Sequence, residues 1–294
     1  MSPRDILLAL LVVFIWGFNF VAIKWGVEMV PPLLLTALRY TFAALPAVFF
    51  VRRPQIKFAL LLAYGVAVGV LQFGGLFVAI KIGMPAGLSS LVIQMQAFFT
   101  IGFATLLLGE RPGRWQAIGA AIAFLGIAVI ATERVGGAAL LPLLMTLAAA
   151  AFWGIANIVT KRAGRIDMLS FVVWSSLVPP LPLLALSLLT EGATADLAAL
   201  AHPSWLLAAV VGFNSYGATL VGFGLWSVLL ARYPASTVAP FSLLVPVVAI
   251  GASVVLLAEP LSMLEAFGSA IVFLGLLLNV LGPKWRGATS PSAA

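Results

Sequence analysis

The 294-residue sequence has no cysteine and a single histidine, His202. Without thiols there is no disulfide framework, no thiolate nucleophile and no cysteine metal site, and one histidine beside Pro203 reads as a solvated loop residue. Charge is scarce: 9% of residues are Asp, Glu, Lys or Arg, against about 25% in a soluble domain. Only nine are acidic, and none stands well inside an apolar run. An intramembrane hydrolase or lipid-modifying transferase needs an acid/base pair, a nucleophile with its base, or metal ligands, and none is supplied. The segment FNSYG at 213–217 has Phe213 where a nucleophile elbow requires glycine. No Gly-Lys dipeptide occurs, so there is no Walker A loop and no ATP-driven pumping. No enzyme, no cofactor and no metal is therefore expected.

What is present is apolar. The chain is 63% hydrophobic with a mean hydropathy of +1.17, which marks a polytopic membrane protein. Ten all-α spans can be read, at about 6–25, 32–51, 58–80, 85–108, 114–132, 140–160, 168–190, 204–231, 235–257 and 262–281. The net charge of +7 does not call for nucleic acid, because the basic residues sit in short loops between apolar runs. Twelve of the 16 Lys and Arg fall on the amino-terminal side, among them Arg52, Arg53, Lys57, Arg111, Arg165, Lys284 and Arg286. Lys24, Lys81 and Arg134 fall on the other side, and Arg39 lies within a span. This asymmetry places both termini in the cytoplasm. Met1–Asp5 lacks a cleavage pattern, so the first run is expected to be an uncleaved span. The expected partners are membrane lipid and a small-molecule substrate, with the protein a monomer or weak oligomer.

An internal repeat organises the chain. FIWGFNFVAIK at 14–24 recurs as AFWGIANIVTK at 151–161, with Lys eight residues after Trp in both. Glu110, Gly119 and Gly126 recur as Glu259, Gly268 and Gly275 at a constant offset of 149. Each copy holds five spans, an odd number, so the copies insert in opposite senses and form two five-helix inverted-topology repeats. The expected units are 1–132 and 140–282, joined by a loop at 133–139 and followed by a disordered cytoplasmic tail at 283–294. The stretch GMPAGLSSLVIQMQAFFTIGFATLLLGERP at 83–112 shares its Pro-Ala entry and glutamate exit with the stretch from Pro234 to Pro260. The second copy has Leu243 and Val245 where the first has Gln94 and Gln96, so the polar groups belong to one half.

LALLVVFIWGFNFVAIKWG, PPLLLTALRY, the 83–112 stretch, TLAAAAFWGIANIVTK and RYPASTVAPFSLLVPVVAIGASVVLLAEPL carry a resemblance across nearly the whole chain. The sequence resembles the drug/metabolite transporter superfamily in its EamA-type ten-helix branch. Within that branch it is similar to bacterial exporters of cysteine/O-acetylserine and of aromatic amino acids. The resemblance implies a secondary transporter exporting small metabolites, amino acids foremost, across the bacterial inner membrane. Drugs and sugar- or nucleotide-type metabolites are the alternative cargoes.

Polar residues within the spans are the candidate site. Arg39 costs about 2.5–3.5 kcal/mol at depth unless it reaches a cavity or partner; it either forks onto a substrate carboxylate or is locked to helix carbonyls. Asn19 lies at similar depth with Trp16 one turn away, so amide and aromatic wall are one reading and interhelical packing the other. Gln94, on a stripe with Ser90 and Phe98, is preferred for the cavity, leaving Gln96 for helix contacts. Trp153 and Asn157 repeat the Trp16 arrangement on the opposite wall, and Gln72, Asn214 and Tyr216 complete the candidates. With no carboxylate well inside a span, facilitated diffusion or exchange is expected ahead of proton coupling.

Overall fold

The computed structural model describes residues 1–134, 139–164, 166–201 and 204–287, so Arg165, His202, the middle of the 133–139 loop and the end of the tail lie outside the described residues. Among the described residues ten helices are long and apolar enough to span a bilayer. They are α1 (Pro3–Met29), α2 (Pro32–Phe49), α3 (Phe58–Lys81), α4 (Ala86–Leu108), α5 (Arg114–Arg134), α6 (Leu140–Ala163), α7 (Met168–Ala201), α8 (Trp205–Arg232), α9 (Thr237–Leu256) and α10 (Met263–Gly282). Among the described residues there is no strand. The side of the bundle on which α1 starts is called the near side below, and the opposite one the far side.

Prolines open the helices where a missing N–H costs nothing: Pro3 and Pro32 sit in first turns, and Pro85 and Pro234 precede the first turns of α4 and α9. The helix of α9 thus begins at Ala235. Left-handed residues close both of these helices. Gly109 (φ 69°) ends α4, with Glu110 N donating to Ala104 O at 3.3 Å; Ala258 (φ 51°), 149 residues on, ends α9, with Glu259 N donating to Ser253 O at 3.4 Å. Ala258 holds that conformation without the freedom glycine has.

Helix α7 exceeds its expected span. It bends between Ser175 and Pro180, where Pro179 and Pro180 supply no N–H, and continues to Ala201. At about 1.5 Å per residue its 34 residues span roughly 50 Å, more than the ~30 Å hydrocarbon core. Glu191 and Asp196 are therefore helical, in the last third of α7, rather than in a loop. Glu191 accepts from Leu33 N at 3.0 Å and so caps α2, and the Ser187 hydroxyl lies 2.6 Å from Glu191 and 2.9 Å from Asp196.

Close helix crossings repeat in pairs, as an inverted two-fold requires. A Cβ on Gly119 would lie 2.6 Å from Gly275 O, and one on Gly126 2.7 Å from Gly268 O; shifting either pair by 149 yields the other. A Cβ on Gly17 would lie 2.7 Å from Val248, and one on Gly154 2.9 Å from Phe99 Cβ, again images of each other. The third helix of each unit carries a π-helical stretch at its middle, Gly65–Gly74 in α3 and Phe213–Val221 in α8. These pairings are two five-helix inverted-topology repeats, with α5 and α10 pressed together through their glycines.

Candidate functional site

Arg39 stands two turns into α2 and is 2% exposed. Its Nη1 donates to Asn214 Oδ1 at 3.3 Å and its Nη2 to Thr219 Oγ1 at 3.2 Å. The π-helical turn of α8 makes this bridge possible: Thr219 lies five residues after Asn214, and its hydroxyl donates to Asn214 O at 2.8 Å. An ordinary helix places same-face neighbours three or four residues apart. Ser215 Oγ donates to Arg39 O at 2.9 Å, which ties the two backbones at the same level. The guanidinium lies over Phe73 of α3, 3.9 Å from the ring centroid, within cation–π range.

No carboxylate faces this cation among the described residues. The four ion pairs among these residues, Lys24–Glu28, Arg134–Glu265, Lys161–Glu110 and Arg232–Asp5, involve other groups toward the helix ends. Arg39 is thus a buried positive charge satisfied by neutral oxygens and a ring, with its Nε unpartnered. Beside it a cavity of about 10 Å³, the room of one water, is bounded by Tyr40, Tyr64, Phe73, Ser175, Thr219 and Phe223. Gly65 and Gly69 of α3 close it, because Cβ atoms there would collide with Val178 and Pro179 at the bend of α7.

The other candidates fall into distinct places. Asn214, fully buried, holds Arg39 and also donates to Val210 O. Asn19 and Gln72 are buried, and each leaves its amide oxygen without a partner. A buried unpaired oxygen carries a desolvation cost of about 1–3 kcal/mol, so these groups are primed for a donor. Trp16 donates from Nε1 to Ala218 O at 3.0 Å and packs against Phe223 and Trp226, which makes it part of the α1–α8 wall. Trp153, its image, is partly buried between two apolar clusters. Phe98 lies in the apolar core at 4% exposure. Tyr216 is exposed, with its hydroxyl 3.5 Å from Leu45 O, on the opposite face of α8 from the buried Asn214.

The glutamines of α4 work at the crossing of the two units. Gln94 Nε2 donates to Ser242 O at 3.2 Å. That carbonyl is free because the residue four positions on is Pro246, which has no N–H, and α9 breaks there between Ser242 and Val245. Gln96 Oε1 accepts from Asn157 Nδ2 at 2.7 Å, and Thr100 Oγ1 shares the same amide at 2.9 Å, stapling α4 to α6. Phe73, Thr219 and the Ser242 carbonyl were not among the candidates. The Ser242–Pro246 spacing carried a signal for the last, whereas Thr219 gives none without the π-helical turn. Among the described residues no group of three or more His, Cys, Asp or Glu exists to hold a metal.

Comparison with known proteins adds to this geometry. Residues 4–132 and 140–281 match the EamA-like transporter family. Over 294 residues the chain is 42% identical to a protein of Escherichia coli K12 described as a probable amino-acid metabolite efflux pump, covering 98% of each chain. A Salmonella typhimurium protein of the same description is 44% identical over 292 residues, covering 97% of this chain and 98% of that one. A probable terminal-alkyne amino-acid exporter of Streptantibioticus cattleyicolor is 29% identical, covering 96% and 95%. A solved crystal structure superposes with a TM-score of 0.65 over 100% of both chains at 19% identity, which shows a shared fold.

Proposed function

The chain belongs to the EamA-like transporter family, and from that premise we propose that it exports amino acids or closely related metabolites across the bacterial inner membrane by alternating access. It is an integral membrane transporter rather than an enzyme. The observation that carries the amino-acid reading is Arg39, a buried cation between the two units with no anion of its own. A substrate carboxylate supplies the missing charge and meets a planar fork of donors. Asn214 and Thr219 present that fork, the unpaired oxygens of Asn19 and Gln72 accept from the substrate ammonium, and Trp16 and Trp153 wall the path. The small cavity at Arg39 is a closed form of the site, and substrate enters when the contact of Gly65 and Gly69 with the α7 bend loosens. Without an acidic partner the ammonium is bound weakly, which suits a carrier that must release its cargo.

The near side is cytoplasmic in this reading, supported by the twelve-to-three division of basic residues. A reporter fused after Ala294 that is active only in the periplasm overturns it. The function is tested by loading proteoliposomes with a panel of radiolabelled amino acids, drugs and sugars and following efflux. Carboxylate-bearing amino acids are expected to leave fastest, and efflux confined to cargoes without a carboxylate refutes the reading.

A further inference from the structure

Two landmarks of the repeat play no part in the site: the lysine eight residues after each tryptophan, and the glutamate that closes each Pro-Ala stretch. On the far side Glu259, in the loop after α9, accepts from the N–H of Ala86, the first residue of α4, at 2.8 Å. A carboxylate there meets an orphan donor and the positive end of the helix dipole. One residue on, the helices nearly touch, since a Cβ on Gly87 would lie 3.0 Å from Ile250 Cα and 3.2 Å from Ser253 Cβ. On the near side the counterpart acts differently. Glu110 ion-pairs with Lys161 at the end of α6, both about half exposed. The near half of α4 packs on α6, while the near half of α9 packs on α1, α8 and α10. The crossing of α4 and α9 is fastened at its far end and parted at its near end.

The two-fold offers the same contacts in exchange. Shifting Ala86 and Glu259 by 149 gives Ala235 and Glu110, and Ala235 opens α9 after Pro234 as Ala86 opens α4 after Pro85. Shifting Lys161 by 137 gives Lys24, which lies within the electrostatic reach of Glu259 and is held by Glu28 at 3.2 Å. We infer that Glu259 and Glu110 are alternating helix caps: here Glu259 caps α4 while Glu110 rests on Lys161, and in the mirror form Glu110 caps α9 at Ala235 while Glu259 rests on Lys24. The inference builds on the alternating-access reading above. Each form gives one glutamate a cap and the other a lysine. The form described keeps in addition the exposed Lys24–Glu28 pair, an i,i+4 pair worth about 0.3–0.5 kcal/mol, so the two remain close in energy and Glu259 and Glu110 each exchange a partner instead of losing one. A carrier that must visit both forms in every cycle requires that balance.

A chain without cysteine allows a direct test. The pair G87C/S253C reports the far side fastened, and its image A104C/S236C reports the near side fastened. Disulfide yields in native membranes are measured for each pair alone and with K24M or K161M, with K24Q and K161Q as second variants in case either fails to insert. K161M removes a partner of the form described and K24M a partner of the mirror form. The ratio of the two yields should move about two- to fivefold in opposite directions, the weight of one exposed ion pair. E28Q, which frees Lys24 for Glu259, should shift the ratio as K161M does. Shifts in the same direction, or none, overturn the exchange. The closed G87C/S253C disulfide should also stop flux in proteoliposomes. Flux through the locked protein overturns the exchange and leaves the exporter reading standing. Opposite lysine shifts in a protein that moves no amino acid uphold the exchange and overturn that reading.

Discussion

Arg39→Lys separates substrate binding from packing. The guanidinium serves two oxygens at 3.3 and 3.2 Å while lying 3.9 Å over Phe73. A lysine ammonium is a point donor that serves one direction at a time and does not lie flat on a ring. Against a bound carboxylate the change turns a two-bond fork into one charge-assisted bond. The lost bond is worth about 1.5–3 kcal/mol, and at about 1.4 kcal/mol per decade the affinity falls roughly ten- to a hundredfold. The fold loses about 1 kcal/mol, one bond to a neutral oxygen, or about 2–4 °C in melting temperature for a chain of this size. Counterflow in proteoliposomes reads the difference, using a labelled amino acid beside the amine left when its carboxylate is removed. Half-saturation for the amino acid should rise tenfold or more while transport of the amine holds. Equal loss on both substrates, tracking a large fall in melting temperature, would refute the carboxylate role and leave Arg39 a packing cation.

Three further outcomes follow from the geometry. Gly126→Ala places a methyl 2.7 Å from Gly268 O, and Gly275→Ala one 2.5 Å from Gly119 O; each should lower the melting temperature in detergent by a similar amount, for an overpacking cost of about 1–3 kcal/mol, and a tolerated substitution at either contradicts the close crossing. Gln94→Leu strands the Ser242 carbonyl at about 1–3 kcal/mol, and adding Pro246→Ala restores an N–H for it, so the double variant should be more stable than Gln94→Leu alone; additive destabilisation in thermal melts refutes the staple. Burial lifts the Glu259 carboxyl above its ordinary value of 4.5, although the N–H groups of Ala86 and Gly87 and the Lys24 charge pull it down. A raised value means the capped form binds its proton more tightly than a solvated carboxylate does, so this contribution is fullest below pH 4.5 and is lost as pH rises through the lifted value. Melting temperatures of wild type and Glu259→Gln should therefore diverge over that window, the wild type falling relative to the variant as pH rises, and parallel curves exclude it.

The fold was legible because a bilayer leaves few options. Runs of about 20 apolar residues must be helices that satisfy their own backbone, and an odd number of them per repeat forces inversion, so the offsets of 149 and 137 already contained the two-fold that Gly119, Gly126 and Gly154 display. Arg39 and Asn214 stood out because polar groups at depth are costly wherever they point. Composition was silent on what each side chain faces. Gln94 was expected at the cavity and Gln96 at a helix contact, yet both make helix contacts, Gln94 because Pro246 frees a carbonyl on another helix and Gln96 because Asn157 lies opposite. Thr219 joins Arg39 through a π-helical turn that shifts the register by one residue, and no 3.6-residue pattern reveals it. Glu191 caps α2 from a helix expected to end before it. That Glu259 caps α4 while Glu110 pairs with Lys161 only the tertiary structure shows, because the repeat supplies a helix start and a lysine to each glutamate.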